Sequence, residues 1–122
     1  MTKADSITMM RVLSDKAQQL KLAIGLKNSA AIIANVLPAM QYSVNEECVA
    51  NGECASYAPF VAAGKPVFHI EYPTKVKAGF TSNFCKTEGP AEGAFNFSTV
   101  IKNYNLDGWV EYCNGDTYTT PT

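Results

Sequence analysis

The apolar residues Ile7, Met10, Val12, Leu13, Ala17 and Leu20 recur at near-helical spacing behind Ser6, a good N-cap residue, and predict one amphipathic helix. Leu22-Ala23-Ile24-Gly25-Leu26 is then a short, nearly continuous apolar run that stops at Lys27-Asn28. This is the pattern of a parallel strand covered on both faces and ended by a polar tip. The same succession repeats. A helix is expected from Ala30 to Met40, a strand over Tyr42-Ser43-Val44 ending at Asn45-Glu46, a helix from Ala55 to Ala63, and a strand over Val67-Phe68-His69-Ile70 ending at Glu71. A loop holding Pro73, Gly79 and Cys85 leads to a short helix near Ala91 and a strand over Phe97 to Lys102. The polar tail after Trp109 is expected to be irregular. Gly25, Gly64 and Gly79 read as close-packing and turn positions.

Helix-then-strand units in succession imply parallel strands joined by helical crossovers, because parallel strands cannot be connected by tight hairpins. The fold class is therefore α/β. No strand is followed by a Gly-rich phosphate loop, which favours a (β/α) TIM-type barrel over an open nucleotide-binding sheet. A complete barrel needs about 250 residues. The 122 residues present amount to one domain or half of one, and four units make a half barrel the expectation. Such a half leaves two open sheet edges, at Leu22–Leu26 and Phe97–Lys102, whose unpaired backbone groups invite self-association.

Composition narrows the partners. A net charge of -1 and the lack of any Lys/Arg run give no field suited to nucleic-acid phosphate. No apolar run approaches the length of a bilayer span, and the opening MTKADSITMM is polar where a leader peptide would be apolar. Neither nucleic acid nor membrane is an expected partner. The four cysteines, Cys48, Cys54, Cys85 and Cys113, contain no C-x-x-C pair, so zinc and thioredoxin spacings are missing and disulfides are the preferred reading. Three pairings are open; Cys48 with Cys54 is favoured because it closes a short Asn-Gly loop, leaving Cys85 with Cys113. Disulfides imply an oxidising compartment, and Asn96-Phe97-Ser98 is a glycosylation sequon that fits secretion. Export chemistry without a leader is expected of a chain whose N-terminal portion lies outside these residues.

Glu46 and Glu71 end successive predicted strands, so their carboxylates are expected on one rim, about 5 Å apart. Glycoside hydrolysis uses such a pair, one carboxylic acid protonating the leaving oxygen and one carboxylate serving as nucleophile or base. The alternative is that either glutamate caps a helix or pairs with Lys27. His69, the only histidine, sits in an apolar strand and reads as a packing residue or a backbone hydrogen-bonder. A thiol nucleophile built from Cys48 and His69 would need a free cysteine, which the disulfide reading removes. Tyr42, Tyr57, Tyr72 and Trp109 offer ring faces to sugars, Tyr72 foremost.

Several segments together carry a family resemblance: Ile24-Gly25-Leu26-Lys27-Asn28; Val44-Asn45-Glu46-Glu47-Cys48 with Glu53-Cys54; Ala63-Gly64-Lys65-Pro66-Val67-Phe68-His69-Ile70-Glu71-Tyr72; Phe84-Cys85; Ile101-Lys102; and Leu106-Asp107-Gly108-Trp109. In order and spacing the chain resembles the second half of glycoside hydrolase family 114, the endo-α-1,4-polygalactosaminidases. The resemblance implies a single partial domain over residues 1–122, the C-terminal half of a TIM barrel. It also implies secretion, disulfides at these cysteines, and cofactor-free and metal-free hydrolysis of α-linked galactosamine-containing polysaccharide. Glu46 falls on the family's catalytic glutamate in an Asn-Glu-Gln motif, while the partner aspartate belongs to an earlier strand, so these residues alone are expected to be inactive. Lys27, Asn28, Asn45, Glu71 and Tyr72 match rim positions that would bind sugar hydroxyls or orient the carboxylates, and Lys27 would also neutralise Glu46. The chain departs from the family at Glu47 (usually Gln), at Ser29 (usually Asp) and at Ala50-Asn51-Gly52. A galactosamine polymer with free amines is cationic, and Glu46, Glu47, Glu53 and Glu71 against Lys27 and Lys75 would attract it. Two other readings are a non-catalytic carbohydrate-binding or structural half barrel, and an unrelated small α/β ligand-binding domain in which Glu46 would be dispensable.

Overall fold

Thr2, rather than Ser6, starts the first helix. Its hydroxyl accepts from Asp5 N at 3.2 Å while the Asp5 carboxylate accepts from Thr2 N at 2.7 Å, a reciprocal capping box that begins α1 (Lys3–Gln19) ahead of the apolar periodicity. The structure, a computed structural model, describes residues 1–72 and 84–121; Pro73, Lys75 and Gly79 lie outside them. Lys21, at φ 56, turns the chain out of α1 and leaves Leu22 on the surface, so the apolar run after it enters the sheet only as β1 (Gly25–Lys27).

The two helices expected next are broken. Ala30–Ile32 is a 3₁₀ turn, α2 covers Ile33–Val36, and Leu37–Ala39 is again 3₁₀, because Pro38 has no N–H to continue an α-helical ladder. The following crossover divides into α3 (Cys48–Asn51), a 3₁₀ turn at Cys54–Tyr57, and α4 (Ala58–Ala62), where Pro59 sits in the first turn without cost. The strands are β2 (Tyr42–Glu46), β3 (Val67–Glu71) and β4 (Ser98–Lys102). The segment at Ala91 is a 3₁₀ turn, Gly89–Ala91.

The tail is not irregular. Trp109–Tyr112 forms β5 and Thr117–Thr119 forms β6, an antiparallel hairpin whose turn passes through Gly115 at φ 88. Its aromatic and β-branched residues suit a pleated surface despite its polarity. The hairpin covers β4, which is therefore not a free edge; among the described residues the sheet runs β1-β2-β3-β4-β5-β6 and ends at β1 and β6. The first three pairings are parallel and the last two antiparallel. The class is thus α/β, as a mixed six-stranded sheet that is open among the described residues.

Alternation along the strands separates two faces. Leu26, Ser43, Val67, His69 and Ile101 lie on the helix-covered face, in a core with Ile33, Val36, Met40, Val49, Tyr57 and Phe60. Tyr42, Val44, Phe68, Ile70 and Val100 lie on the other face, partly exposed, with Phe68 45% accessible. Gly25 leaves room on that face for the Tyr42 ring, which would lie 2.1 Å from an added Cβ. Cys48–Cys54 and Cys85–Cys113 are both bridged. No helix among the described residues is long and apolar enough to cross a membrane.

Gly93 lies at φ 90 with Ala55 Cα 2.4 Å from where its Cβ would be, and backbone cannot swing aside as a side chain does. Gly93→Ala is expected to lower unfolding free energy by about 2–3 kcal/mol. Gly115→Ala, at φ 88 with open space around it, should cost only about 1 kcal/mol; urea titration of both variants tests the order.

Candidate active site

Glu46 closes β2, and the registers Lys27↔Val44 and Glu46↔Ile70 place it between the C-terminal ends of β1 and β3. Asn28 extends the β1–β2 ladder past the strand end. Its N–H donates to Val44 O at 2.7 Å and its Oδ1 accepts from Glu46 N at 2.9 Å, a geometry reached at φ 52, which Asn tolerates better than most residues. The carboxylate is held from both sides. Lys27 Nζ forms an ion pair with Oε2, and the Tyr72 hydroxyl donates to Oε1 at 2.6 Å.

These contacts set the charge state. The Lys27 hydrogen bond, then that of Tyr72, holds the Glu46 carboxyl below its ordinary value, and partial burial opposes them without prevailing. The Tyr72 phenol moves the other way, raised by burial and then by the Glu46 anion it donates to. Tyr72 therefore remains a protonated donor. Its ring packs edge-on against Tyr104 at 5.4 Å, a contact between distant segments that the sequence does not announce. Lys27 is 60% exposed and Glu46 25%, so the ion pair is screened and contributes no more than about 1 kcal/mol to stability. Its effect is to lower the pH at which the carboxyl takes up a proton, so that at neutral pH Glu46 is an anion suited to act as base, nucleophile or charge stabiliser.

Glu71 does not share this rim. Glu46 is opposite Ile70, so Glu71 projects to the other, helix-covered face, where it is 0% exposed. Its Oε1 accepts from Val49 N at 2.7 Å and meets His69 Nε2 at 2.8 Å. Asn45 is equally buried, and its Oδ1 accepts from Cys48 N at 3.2 Å. Of the two roles expected of Asn45 and Glu71, binding sugar hydroxyls or orienting the carboxylates, their contacts are of the second kind: both are buried and hold α3, the turn that follows Glu46, from beneath. His69 is buried as expected, but its partners are side chains, Glu71, Thr99 Oγ1 at 3.0 Å and Cys48 Sγ at 3.3 Å, rather than backbone. Thr99 stands beside His69 in the β3–β4 register, a pairing legible only once the strands are aligned. Tyr57 belongs to the core, and Tyr42 packs edge-on against Phe68. Glu71 is buried, while Glu46, Glu47 and Glu53 are partly exposed.

The model of glycoside-hydrolase family GH114 matches residues 1–118. The crystal structure of Aspergillus fumigatus Ega3 in complex with galactosamine is similar at 47% identity and a TM-score of 0.82, over 93% of this chain and 47% of that one. The chain therefore spans about half the length of the structure it matches. No curated protein matches.

The electrostatics have a measurable signature. In a carbon-13 NMR titration the Glu46 carboxyl should give a midpoint below 4.5, rising most in Lys27→Met and less in Tyr72→Phe. Since the folded value lies below the unfolded one, the associated stability is complete above the ordinary glutamate value and is lost as pH falls through the depressed one. Glu46→Gln should accordingly lose at most about 1 kcal/mol against the parent at neutral pH, and nothing once the parent's Glu46 is protonated in both its folded and unfolded states.

Proposed function

The chain belongs to glycoside-hydrolase family GH114, and we propose that it supplies the catalytic carboxylate, Glu46, for endo-hydrolysis of α-1,4-linked galactosamine polymers. The observation that carries this is the clamp on Glu46: an ion pair to one oxygen and a phenol hydrogen bond to the other, at the C-terminal end of a parallel strand. In glycoside hydrolysis positive charge develops on the sugar ring while the leaving oxygen takes up a proton, so one group must be an anion and another an acid. Glu46 has the anionic part. Lys27 and Tyr72 fix both oxygens in advance, so little reorganisation accompanies the reaction. Lys27, exposed beside Glu46, also reaches sugar hydroxyls; Asn28 sets the backbone position of Glu46; Tyr72 is its standing donor. The reaction draws on no metal or organic cofactor.

The acid is not Glu71, which is buried on the opposite face. We assign it to an aspartate of an earlier strand in the complete barrel, of which β1 to β4 would form consecutive staves with Phe68 and its neighbours facing the interior. The bound galactosamine of Ega3 supports an amino sugar as substrate, and the partly exposed Glu46, Glu47 and Glu53 suit a cationic polymer. The two bridges and the surface position of Asn96 in its sequon support secretion. The open β1 edge and the accessible apolar face support self-association, to be read as a sedimentation coefficient that rises with concentration.

Hydrolysis is tested with α-1,4-galactosamine oligomers and mass spectrometry of the products, using the chain alone and a chimera in which it replaces the matching half of Ega3. The chimera should cleave, and Glu46→Gln in it should lose about 10²–10⁴-fold in rate. The chain alone should not cleave. A folded but inactive chimera, or an undiminished Glu46→Gln variant, would overturn the proposal.

A further inference from the structure

Beneath the site, on the helix-covered face, Cys48, Cys54 and His69 place their two sulfurs and a ring nitrogen within 4.8 Å of one another, all buried. His69 Nε2 lies 3.3 Å from Cys48 Sγ, and Glu71 Oε1 is 2.8 Å from the same nitrogen. The other oxygen of Glu71, Oε2, is buried and has no hydrogen-bond partner among the described residues, a costly condition for a carboxylate unless something meets it. The second ring nitrogen, Nδ1, faces Thr99 Oγ1 at 3.0 Å. Two sulfurs, an imidazole and a carboxylate form a zinc-type donor set, and the hydroxyl behind the imidazole is the outer contact that fixes its tautomer in such sites. Cys48 and Cys54 are six residues apart, wider than the usual zinc pair, and the third donor comes from another strand.

We infer that Cys48, Cys54, His69 and Glu71 form a redox-gated site for zinc, the same two cysteines being either a disulfide or a pair of metal thiolates. In the bridged state the sulfurs are no ligands. When a dithiol reductant delivers two electrons and two protons, the Cys48–Cys54 bond breaks, each sulfur becomes a thiol, and the dithiol closes to its own disulfide. Divalent zinc then displaces both thiol protons to solvent and forms two zinc–sulfur bonds and one bond to His69 Nε2. The sulfurs must part, but Cys48 Sγ and Nε2 already stand at a separation two ligands of one zinc adopt. The imidazole proton, held on Nε2 against the Glu71 carboxylate in the bridged state, moves to Nδ1 and there donates to Thr99, which frees the Nε2 lone pair for the metal. Glu71, released from Nε2, turns to the metal as fourth donor. Because the pocket is closed, zinc enters while the 48–54 segment is open, during folding or local opening, and it does for α3 what the disulfide does.

The test is metal content, independent of any hydrolytic activity. The full chain is unfolded and refolded under a phosphine reductant, which ends as phosphine oxide with an oxygen from water, in the presence of zinc. After gel filtration the reduced chain should hold about one zinc and the oxidised chain none. Cys85→Ser/Cys113→Ser should keep the ion, Cys54→Ser should lose it, and Thr99→Val should bind about 10–100-fold more weakly. Cobalt in place of zinc should show thiolate-to-metal charge transfer. A reduced chain that folds without holding zinc, that stays unfolded with zinc present, or that retains zinc unchanged in Cys54→Ser would overturn the inference.

Discussion

Everything at the C-terminal end of β2 depends on the two-residue alternation of a strand. Glu46 points to the open face and Asn45 to the covered one, so a single dipeptide contributes both a reactive group and part of its foundation. The parallel register to β3 extends this division: Ile70 accompanies Glu46, while His69 and Glu71 accompany Asn45. The open side is assembled from screened, partly hydrated charge. The covered side is assembled from buried polar groups that anchor α3, and leaving one of them without its hydrogen-bond partner costs about 1–3 kcal/mol, against at most about 1 for the exposed ion pair. Charge state is therefore adjusted on one face and position is secured on the other.

This division explains what the sequence disclosed and what it withheld. Apolar runs closed by Lys27-Asn28, Asn45-Glu46 and Glu71 correctly marked the ends of β1, β2 and β3, and the short Asn-Gly loop marked one disulfide. A strand-end glutamate, however, reads the same whichever face it occupies. Glu46 and Glu71 were equivalent until the register offset them by one residue and so by one face. The broken crossover helices were hidden for a related reason: helical spacing in Ala30–Met40 is genuine, but Pro38 decides where the ladder stops. Polarity concealed the β5–β6 hairpin because an exposed pair of strands needs pleat-compatible side chains and not a buried run.

Ionisation at the rim follows from local geometry more than from overall charge. The chain is nearly neutral, yet the Glu46 carboxyl is held below its ordinary value by one ammonium and one phenol brought in from the adjoining strand ends. Tyr72 is instructive in this respect. Expected from the sequence to offer its ring, it donates through its hydroxyl to Glu46, while the ring packs edge-on against Tyr104.

The Cys85–Cys113 bridge, spanning 28 residues, has a mechanical consequence. Both β4 and β5 lie within the covalent ring it closes, whereas β1, β2, β3 and β6 lie outside it. Tension applied between the two chain ends passes through the sulfurs and bypasses the ring. The β4–β5 pairing then carries no load along its own backbone, and a single peptide cleavage inside the ring leaves the two pieces joined. The sheet is in this sense linear in its hydrogen bonds and looped in its covalent connectivity.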